Sequence, residues 1–227
     1  MLNQIRRTTL ALVSATLLAS AAPAQEATTS GPSTEPPAGT YHLDAGHTRV
    51  MFSVSHLGFS EYTAFFRTVE ATLTFDPAKP ESMVLDARID PASVETLYPD
   101  PALDFNAVIA GESFLDAKTF PDLTFKSTRV RQTGPREATV TGDLTMHGVT
   151  KQVSLRVRYN GGYAGHPLDP GGARIGFSAE GALFRSDFGM GFGIPAPGTT
   201  IGVGDLVTIR IETEVLNPDA PGVQTGP

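Results

Sequence analysis

The run Val207-Thr208-Ile209-Arg210-Ile211-Glu212-Thr213-Glu214-Val215 sets Val207, Ile209, Ile211, Thr213 and Val215 in strict alternation with Thr208, Arg210, Glu212 and Glu214. A period of two is that of a β-strand with one buried and one wet face. Three other runs repeat it. Val69, Ala71, Leu73 and Phe75 alternate with Glu70, Thr72, Thr74 and Asp76. Met83, Leu85, Ala87 and Ile89 alternate with Ser82, Asp86, Arg88 and Asp90, with Val84 the one apolar exception outside. Val153, Leu155, Val157 and Tyr159 alternate with Gln152, Ser154, Arg156 and Arg158. Weaker versions over 49–55, 123–129, 138–146 and 174–183 bring the total to about eight strands.

A parallel sheet buried on both faces would show continuous apolar runs joined by helices. Neither is present, so the sheet is read as antiparallel with a polar exterior. Eight such strands must pair their apolar faces across a sandwich or roll into a barrel, and a barrel of that size is either filled or holds one small ligand. Small inner-face residues, Ala71, Ala87, Ala179 and Gly181, leave volume for bulky partners or for a ligand.

The strand rhythm breaks between Ser93 and Asp122, where one short helix is expected. Asp100 is placed to accept from the free amides of its first turn, Pro101 suits the first helical position, and Gly111 ends it. Phe105, Val108 and Ile109 share one face. A connection of this length with its own apolar face serves either as a lid or as a plug that closes the core at one end.

Outside this block the sequence changes character. Arg6 and Arg7, the apolar stretch Leu10 to Leu18, and Ala22-Pro23-Ala24 read as a secretory signal over residues 1–24, with Gln25 the first mature residue. Residues 25–39 and 217–227 are rich in Pro, Gly and small polar residues and are expected to be disordered, which leaves a single domain over 40–216. The expected address is the periplasm, by an export route that Thr8-Thr9-Leu10 fits poorly to the twin-arginine pattern.

The 227 residues carry 17 basic and 24 acidic side chains, no cysteine and no tryptophan. Absence of Cys excludes disulfide scaffolds, thiolate metal sites and Cys nucleophiles. The net charge of −7 falls to −9 once the two arginines of the signal are removed. Such a chain repels phosphate backbones and gains nothing from anionic lipid, so neither nucleic acid nor stable membrane insertion is expected. The oligomeric state is left open, a homodimer being one option.

Motifs for chemistry are sparse. His42, His47 and His56 lie near Asp44 without the spacing of a metal site, and no metal is expected. Gly58-Phe59-Ser60-Glu61-Tyr62 and Gly176-Phe177-Ser178-Ala179-Glu180 lack the second glycine of a nucleophile elbow. Gly189, Gly191 and Gly193 run into Pro195 and Pro197 rather than into a helix, so they suit a long hairpin connection better than a phosphate loop. Aromatic residues gather around Leu57-Gly58-Phe59, Tyr62, Phe65 and Phe66, and again at Phe188 and Phe192 beside Met190. They fit either a filled core or the mouth of an apolar pocket.

Seven strings then carry a family likeness across nearly the whole block. They are Tyr41-His42-Leu43-Asp44 with His47, FSVSHLGFS (52–60), TFDPAKPE (74–81), FPDLTFKSTRV (120–130), GDLTMHGVTKQVSL (142–155), GFSAEGALFRSDFGM (176–190) and VGDLVTIRIETEV (203–215). In this order they resemble the YceI-like family of exported polyisoprenoid-binding proteins. The resemblance implies an all-β fold, an antiparallel eight-stranded lipocalin-like barrel with one short helix in a long connection. It also implies an apolar interior that holds an isoprenoid chain, with no catalytic residue and no cofactor. The chain departs from the family where Phe105-Asn106-Ala107-Val108 replaces an Arg-Asp-x-His string, where Phe114-Leu115 replaces an aromatic pair, and where Ala64 and Ala71 replace glycines.

The side chains expected to meet the ligand are Phe52, Val54, His56, Phe59, Phe66, Leu73, Leu85, Phe125, Phe177, Phe188 and Met190. Arg49, Arg185 and Asp187 are the polar residues to watch near a head group, with a rim salt bridge as the simpler role. The expected function is a carrier or sequestering protein for an isoprenoid lipid, a polyprenyl chain or an isoprenoid quinone, and not an enzyme. Two alternatives stay open: a filled barrel acting through its surface, and an enzyme on an apolar substrate with His56 or His147 as base.

Overall fold

A computed structural model describes residues 35–220 apart from Pro167 and Pro170. The expected signal, most of the preceding linker and the last seven residues lie outside the described residues. Among the described residues, eleven strands form one antiparallel sheet. They are β1 (Gly39–Leu43), β2 (Arg49–His56), β3 (Ser60–Phe66), β4 (Val69–Phe75), β5 (Val84–Ile89), β6 (Val94–Glu95), β7 (Leu123–Gly134), β8 (Glu137–Met146), β9 (Val149–Tyr163), β10 (Ala173–Phe184) and β11 (Val203–Asn217).

The pairings reduce these to eight staves. β1 and β2 are halves of one bent strand, since both pair with β11, and β4 and β3 pair with those same halves. β5 and β6 likewise pair with β4 and β3. Each stave then pairs with its sequence neighbour, and β11 closes on β1 and β2. The result is an up-and-down barrel of eight antiparallel strands, as the alternating runs require, and closure removes both sheet edges.

The bends are built by short-range chemistry. Asp44 accepts a hydrogen bond from the Gly46 amide and starts a 3-10 turn, Ala45–His47, between β1 and β2. Asp90 does the same with the Ala92 amide ahead of β6. His147 and Gly148 both have positive φ, 52° and 74°, and make the tight turn that lays Val149 opposite Met146.

The helix α1 (Phe105–Ala110) ends at Gly111 as expected but begins four residues later than the sequence reading placed it. Asp104 is its cap, accepting from the Ala107 amide, while Asp100 accepts from the Ala102 amide and shapes a separate turn. Both aspartates suit a helix start; the Asp100 turn is not continued because Phe105 N–H bonds back to the Leu103 carbonyl. The inward face is Phe105 and Ile109, four residues apart, and Val108 is exposed.

Residues at the start of the domain also depart from expectation. Pro36 is buried, and the Tyr41 hydroxyl donates to the Pro37 carbonyl at 2.7 Å. Two prolines at fixed φ make this segment inexpensive to order against the end of the barrel at which β1 begins.

A charged cluster fastens the closing seam. Arg174, at the start of β10, donates to Asp169, Asp44 and Glu214, and the Tyr163 hydroxyl also donates to Asp169. His47 Nδ1 lies 2.8 Å from Asp44. The Arg174 guanidinium, with Tyr163 and the Gly171 amide, holds the Asp169 carboxyl below its usual range despite burial. Burial opposes the same shift at Asp44, but hydrogen bonds from His47, Arg174 and the Gly46 amide outweigh it. A depressed carboxylate stabilises the fold above its unfolded pKa, about 4, and that contribution fades as pH falls through the folded value. Arg174→Met should therefore lower the melting temperature at pH 7 by about 5–10 °C, from a loss of about 2–4 kcal/mol. The gap between variant and wild type should narrow at pH 2.5. Melting curves by circular dichroism at the two pH values check this, and an equal deficit at both would remove the electrostatic account.

Candidate functional site

Inner-face side chains meet across the barrel near its ends, as where Phe75 of β4 stacks on Tyr159 of β9 with ring centroids 6.5 Å apart. Buried residues fall into two clusters, one around Val50, Phe66, Leu123, Val153 and Phe188 and the other around Tyr41, Leu73, Phe75, Ile175 and Val215. A compact domain of this size ordinarily has one contiguous core. Here an elongated cavity of about 890 Å³ runs between the clusters, and its walls are almost wholly apolar. That volume is inconsistent with the filled-barrel alternative.

The inner-face residues with small side chains explain part of the space. Ala71, Ala87 and Ala179 line the cavity. Gly181 does not, because the Leu155 side chain leans over it, 2.6 Å from where a Cβ would stand. Gly142 similarly makes room for the Phe125 ring, which would lie 2.4 Å from such a Cβ.

The cavity reaches solvent-exposed lining residues at both ends. At the first, which we call the mouth, lie the β2–β3 hairpin, the long connection with α1, and the glycine-rich loop between β10 and β11. Here His56, Tyr62, Thr96, Tyr98 and Arg185 add polar groups to the lining. At the floor the lining includes Glu35, Gln132, Arg136 and Glu137, with the Arg136 guanidinium 5.7 Å from the Tyr159 ring centroid. Between the ends the main polar interruption is Thr48, whose hydroxyl is paired with that of Thr213 at 2.8 Å.

Of the side chains expected to meet a ligand, Phe52, Val54, His56, Phe66, Leu73, Leu85, Phe125, Phe177 and Met190 line this cavity. Phe59 and Phe188 do not. Phe59 sits at the tip of the β2–β3 hairpin and is 83% exposed, because Leu57 and Gly58 at positive φ turn the chain away from the barrel axis. Phe188 ends a 3-10 turn, Arg185–Phe188, and is buried behind the wall, with its carbonyl 3.0 Å from His147 Nδ1. Neither His56 nor His147 has a carboxylate partner among the described residues. Lining residues that the sequence reading passed over include Phe105, Ile109, Phe114 and Leu115 from the long connection and Tyr98 ahead of it. The i, i+4 spacing of Phe105 and Ile109 was the available signal.

Arg185 corrects the expectation of a rim salt bridge. Its side chain is buried and donates to three backbone carbonyls, Gly204 through Nε, Met190 through Nη1 and Val203 through Nη2, at 2.8–2.9 Å. Burial lowers its pKa, with Asp205 opposing. It ties both ends of the glycine-rich loop to the rim. Asp187 instead pairs with Lys151 at 3.6 Å, and Arg49 donates to the Thr48 carbonyl.

Glu95 and Asn106 fix the start of the long connection. The Thr96 amide and hydroxyl both donate to Asn106 Oδ1, at 2.8 and 2.6 Å, and the Leu97 amide donates to Glu95 Oε1 at 2.9 Å. The Leu97 amide and Asn106 hold the Glu95 carboxyl below its usual range. Asn106, within the string that departs from the family pattern, thus serves as a local clamp.

Asp44, His47 and Glu214 converge near the floor, Glu214 arriving from the far end of the chain. Arg174 already supplies the positive charge of that group.

Large apolar side chains are unevenly exposed. All of those exposed among the described residues, except Val84 and Leu168, stand at the mouth end. Leu97, Tyr98, Leu103 and Val108 belong to the long connection, Phe192 and Ile201 to the glycine-rich loop, and Phe184 faces Leu206 just below the rim.

A closed eight-stranded antiparallel barrel around an apolar cavity, with a helix at one mouth, is a lipocalin-like architecture. A family model, the YceI-like domain, matches residues 41–215, and the chain belongs to that family. A UPF0312 protein of Pseudomonas putida is 38% identical over 172 residues, covering 74% of this chain and 83% of its own. The crystal structure of Burkholderia cenocepacia BcnA is similar with a TM-score of 0.63 and 26% identity, over 76% of this chain and 98% of that one. A polyisoprenoid binding domain from Saccharophagus degradans, implicated in plant cell wall breakdown, shares the fold with a TM-score of 0.52 and 15% identity, over 78% and 98% of the two chains.

Arg185→Met leaves three carbonyls without their donor and should cost about 2–4 kcal/mol in urea unfolding. Arg185→Lys should restore little of it, because an ammonium cannot reproduce the three-way fork. Limited proteolysis should show faster cleavage within 191–199 in both variants. Unchanged cleavage would deny the staple role.

Proposed function

We propose that the protein is exported to the periplasm and there carries or sequesters an isoprenoid lipid, a polyprenyl chain or isoprenoid quinone, inside the barrel. The single observation that carries this reading is the long apolar cavity between two separate cores. Its volume lies at the upper end for small-molecule sites, and its elongated form suits a chain rather than a compact ligand. The 15 residues of β11 follow a path of about 50 Å, which at the usual barrel tilt gives an axial length of roughly 35–40 Å.

Affinity then comes from burial. Each methylene removed from water contributes about 0.8 kcal/mol, so several isoprene units offset the cost of ordering a flexible chain. Apart from the mutually paired Thr48 and Thr213, the few polar groups sit at the ends, where a head group would reach solvent. Family membership and the polyisoprenoid-binding fold neighbour support the same reading.

Protein purified from its host without delipidation should release a prenyl lipid in native mass spectrometry. Added prenyl alcohols should raise the melting temperature increasingly with chain length. Ala179→Phe, which puts a ring into the cavity, should abolish most of that shift while costing no more than about 1–3 kcal/mol of stability. No co-purified lipid together with no thermal shift would end the proposal.

A further inference from the structure

The apolar residues exposed around the mouth form a connected rim. The Leu57 amide donates to the Gly202 carbonyl at 2.8 Å, so the hairpin tip with Phe59 lies against the segment holding Ile201. The Val203 amide donates to the Gly193 carbonyl at 2.8 Å and brings Phe192 to the same rim. Phe192 meets Phe114 edge-on at 5.3 Å, and Phe114 lines the cavity. The exposed rim therefore runs without a break into the cavity wall.

Leu97 adds an independent observation. Its φ is +53°, a region that favours glycine or asparagine, yet the position holds a leucine that is 74% exposed. Two hydrogen bonds pin the peptide that leads into it: Glu95 accepts from the Leu97 amide, and the Thr96 carbonyl accepts from the Tyr62 hydroxyl at 3.2 Å. The fold spends strain to present an apolar side chain to solvent beside the cavity opening. Strain of that kind, held in place by its surroundings, is a mark of a working surface.

We propose that the mouth end of the barrel docks reversibly on a neutral lipid bilayer, with Phe59, Leu97, Phe192 and Ile201 entering the headgroup layer and the cavity opening held against the membrane. This rests on the reading of the cavity as a lipid site, because such a ligand resides in the bilayer and its transfer through water is costly. Charge selects the partner. Glu61, Asp100, Asp104 and Glu112 are exposed around the same end. A twofold pairing of this face with a second copy would set carboxylates against carboxylates, and an anionic membrane would be repelled by the same groups. A zwitterionic surface opposes neither, and Tyr98 beside the opening is a side chain suited to the interface.

The test is sedimentation of the purified protein, in the form the cell processes, with phosphatidylcholine vesicles. Wild type should bind, with little dependence on salt and more weakly when phosphatidylglycerol is added. Phe59→Ser, Phe192→Ser and Ile201→Ser should each lower partitioning about fivefold, and Leu168→Ser at the opposite end should leave it unchanged. Leu97→Asn should weaken binding while holding or raising the melting temperature, since asparagine accepts the backbone conformation. A prenyl alcohol is added to each variant as a separate thermal-shift assay. Intact prenyl binding with no vesicle binding by wild type overturns the docking proposal and leaves the lipid-site reading standing. Failure of the prenyl shift in wild type overturns the lipid-site reading on which docking rests. If wild type is a dimer in ultracentrifugation and the rim variants are monomers, the face is a self-association surface and the proposal also falls.

Discussion

Closure of the sheet on itself is the constraint from which the other features follow. Once β11 pairs with both halves of the β1–β2 stave, every stave has two neighbours and the circumference is set by strand number and stagger rather than by side-chain volume. The interior is then as wide as the backbone dictates. Aliphatic and aromatic residues fill it near the two ends, while Ala71, Ala87 and Ala179 leave its middle open. A cluster around Arg174 holds the seam at which this geometry could come apart.

Much of this is visible in the amino-acid sequence, because a period of two is a local property. Val69 to Phe75 and Val207 to Val215 declare their inner faces without reference to any other residue. The bends of the staves are less visible. At Asp44 and Asp90 a side-chain oxygen caps a short turn, and nothing in the apolar pattern says that the strand resumes beyond it in the same stave. Helix α1 shows the same difficulty: Asp100 and Asp104 are both competent caps, and only the backbone bond from Phe105 to Leu103 decides between them.

The site was legible where it lies on strands and, Met190 apart, not where it lies in loops. Phe52, Leu85 and Phe177 face the cavity because their neighbours in sequence fix their phase. Phe59 and Phe188 have no phase to inherit, and turn geometry sends one into solvent and the other behind the wall. Long-range partners are hidden for a different reason. The three carbonyls that hold Arg185 come from residues up to 19 positions away, and Glu214 joins Asp44 across nearly the whole domain. Side-chain type alone suggested a surface ion pair for Arg185, whereas its backbone partners make it a buried staple.

Stability and occupancy are linked in such a barrel. An apolar space of about 890 Å³ leaves the side chains of its walls without the packing contacts that a filled core would give them, at a cost that grows with its volume. A closed backbone cannot collapse to recover that energy without breaking strand pairings, and apolar walls give water few partners. Hydrocarbon recovers it through contact alone. A ligand that enters this space acts as part of the core, so its affinity and the stability of the barrel rise together by mass action. The head group contributes little to either, because polar residues that could meet it at the mouth already have partners in the protein, Arg185 in three backbone carbonyls and Thr96 in Asn106.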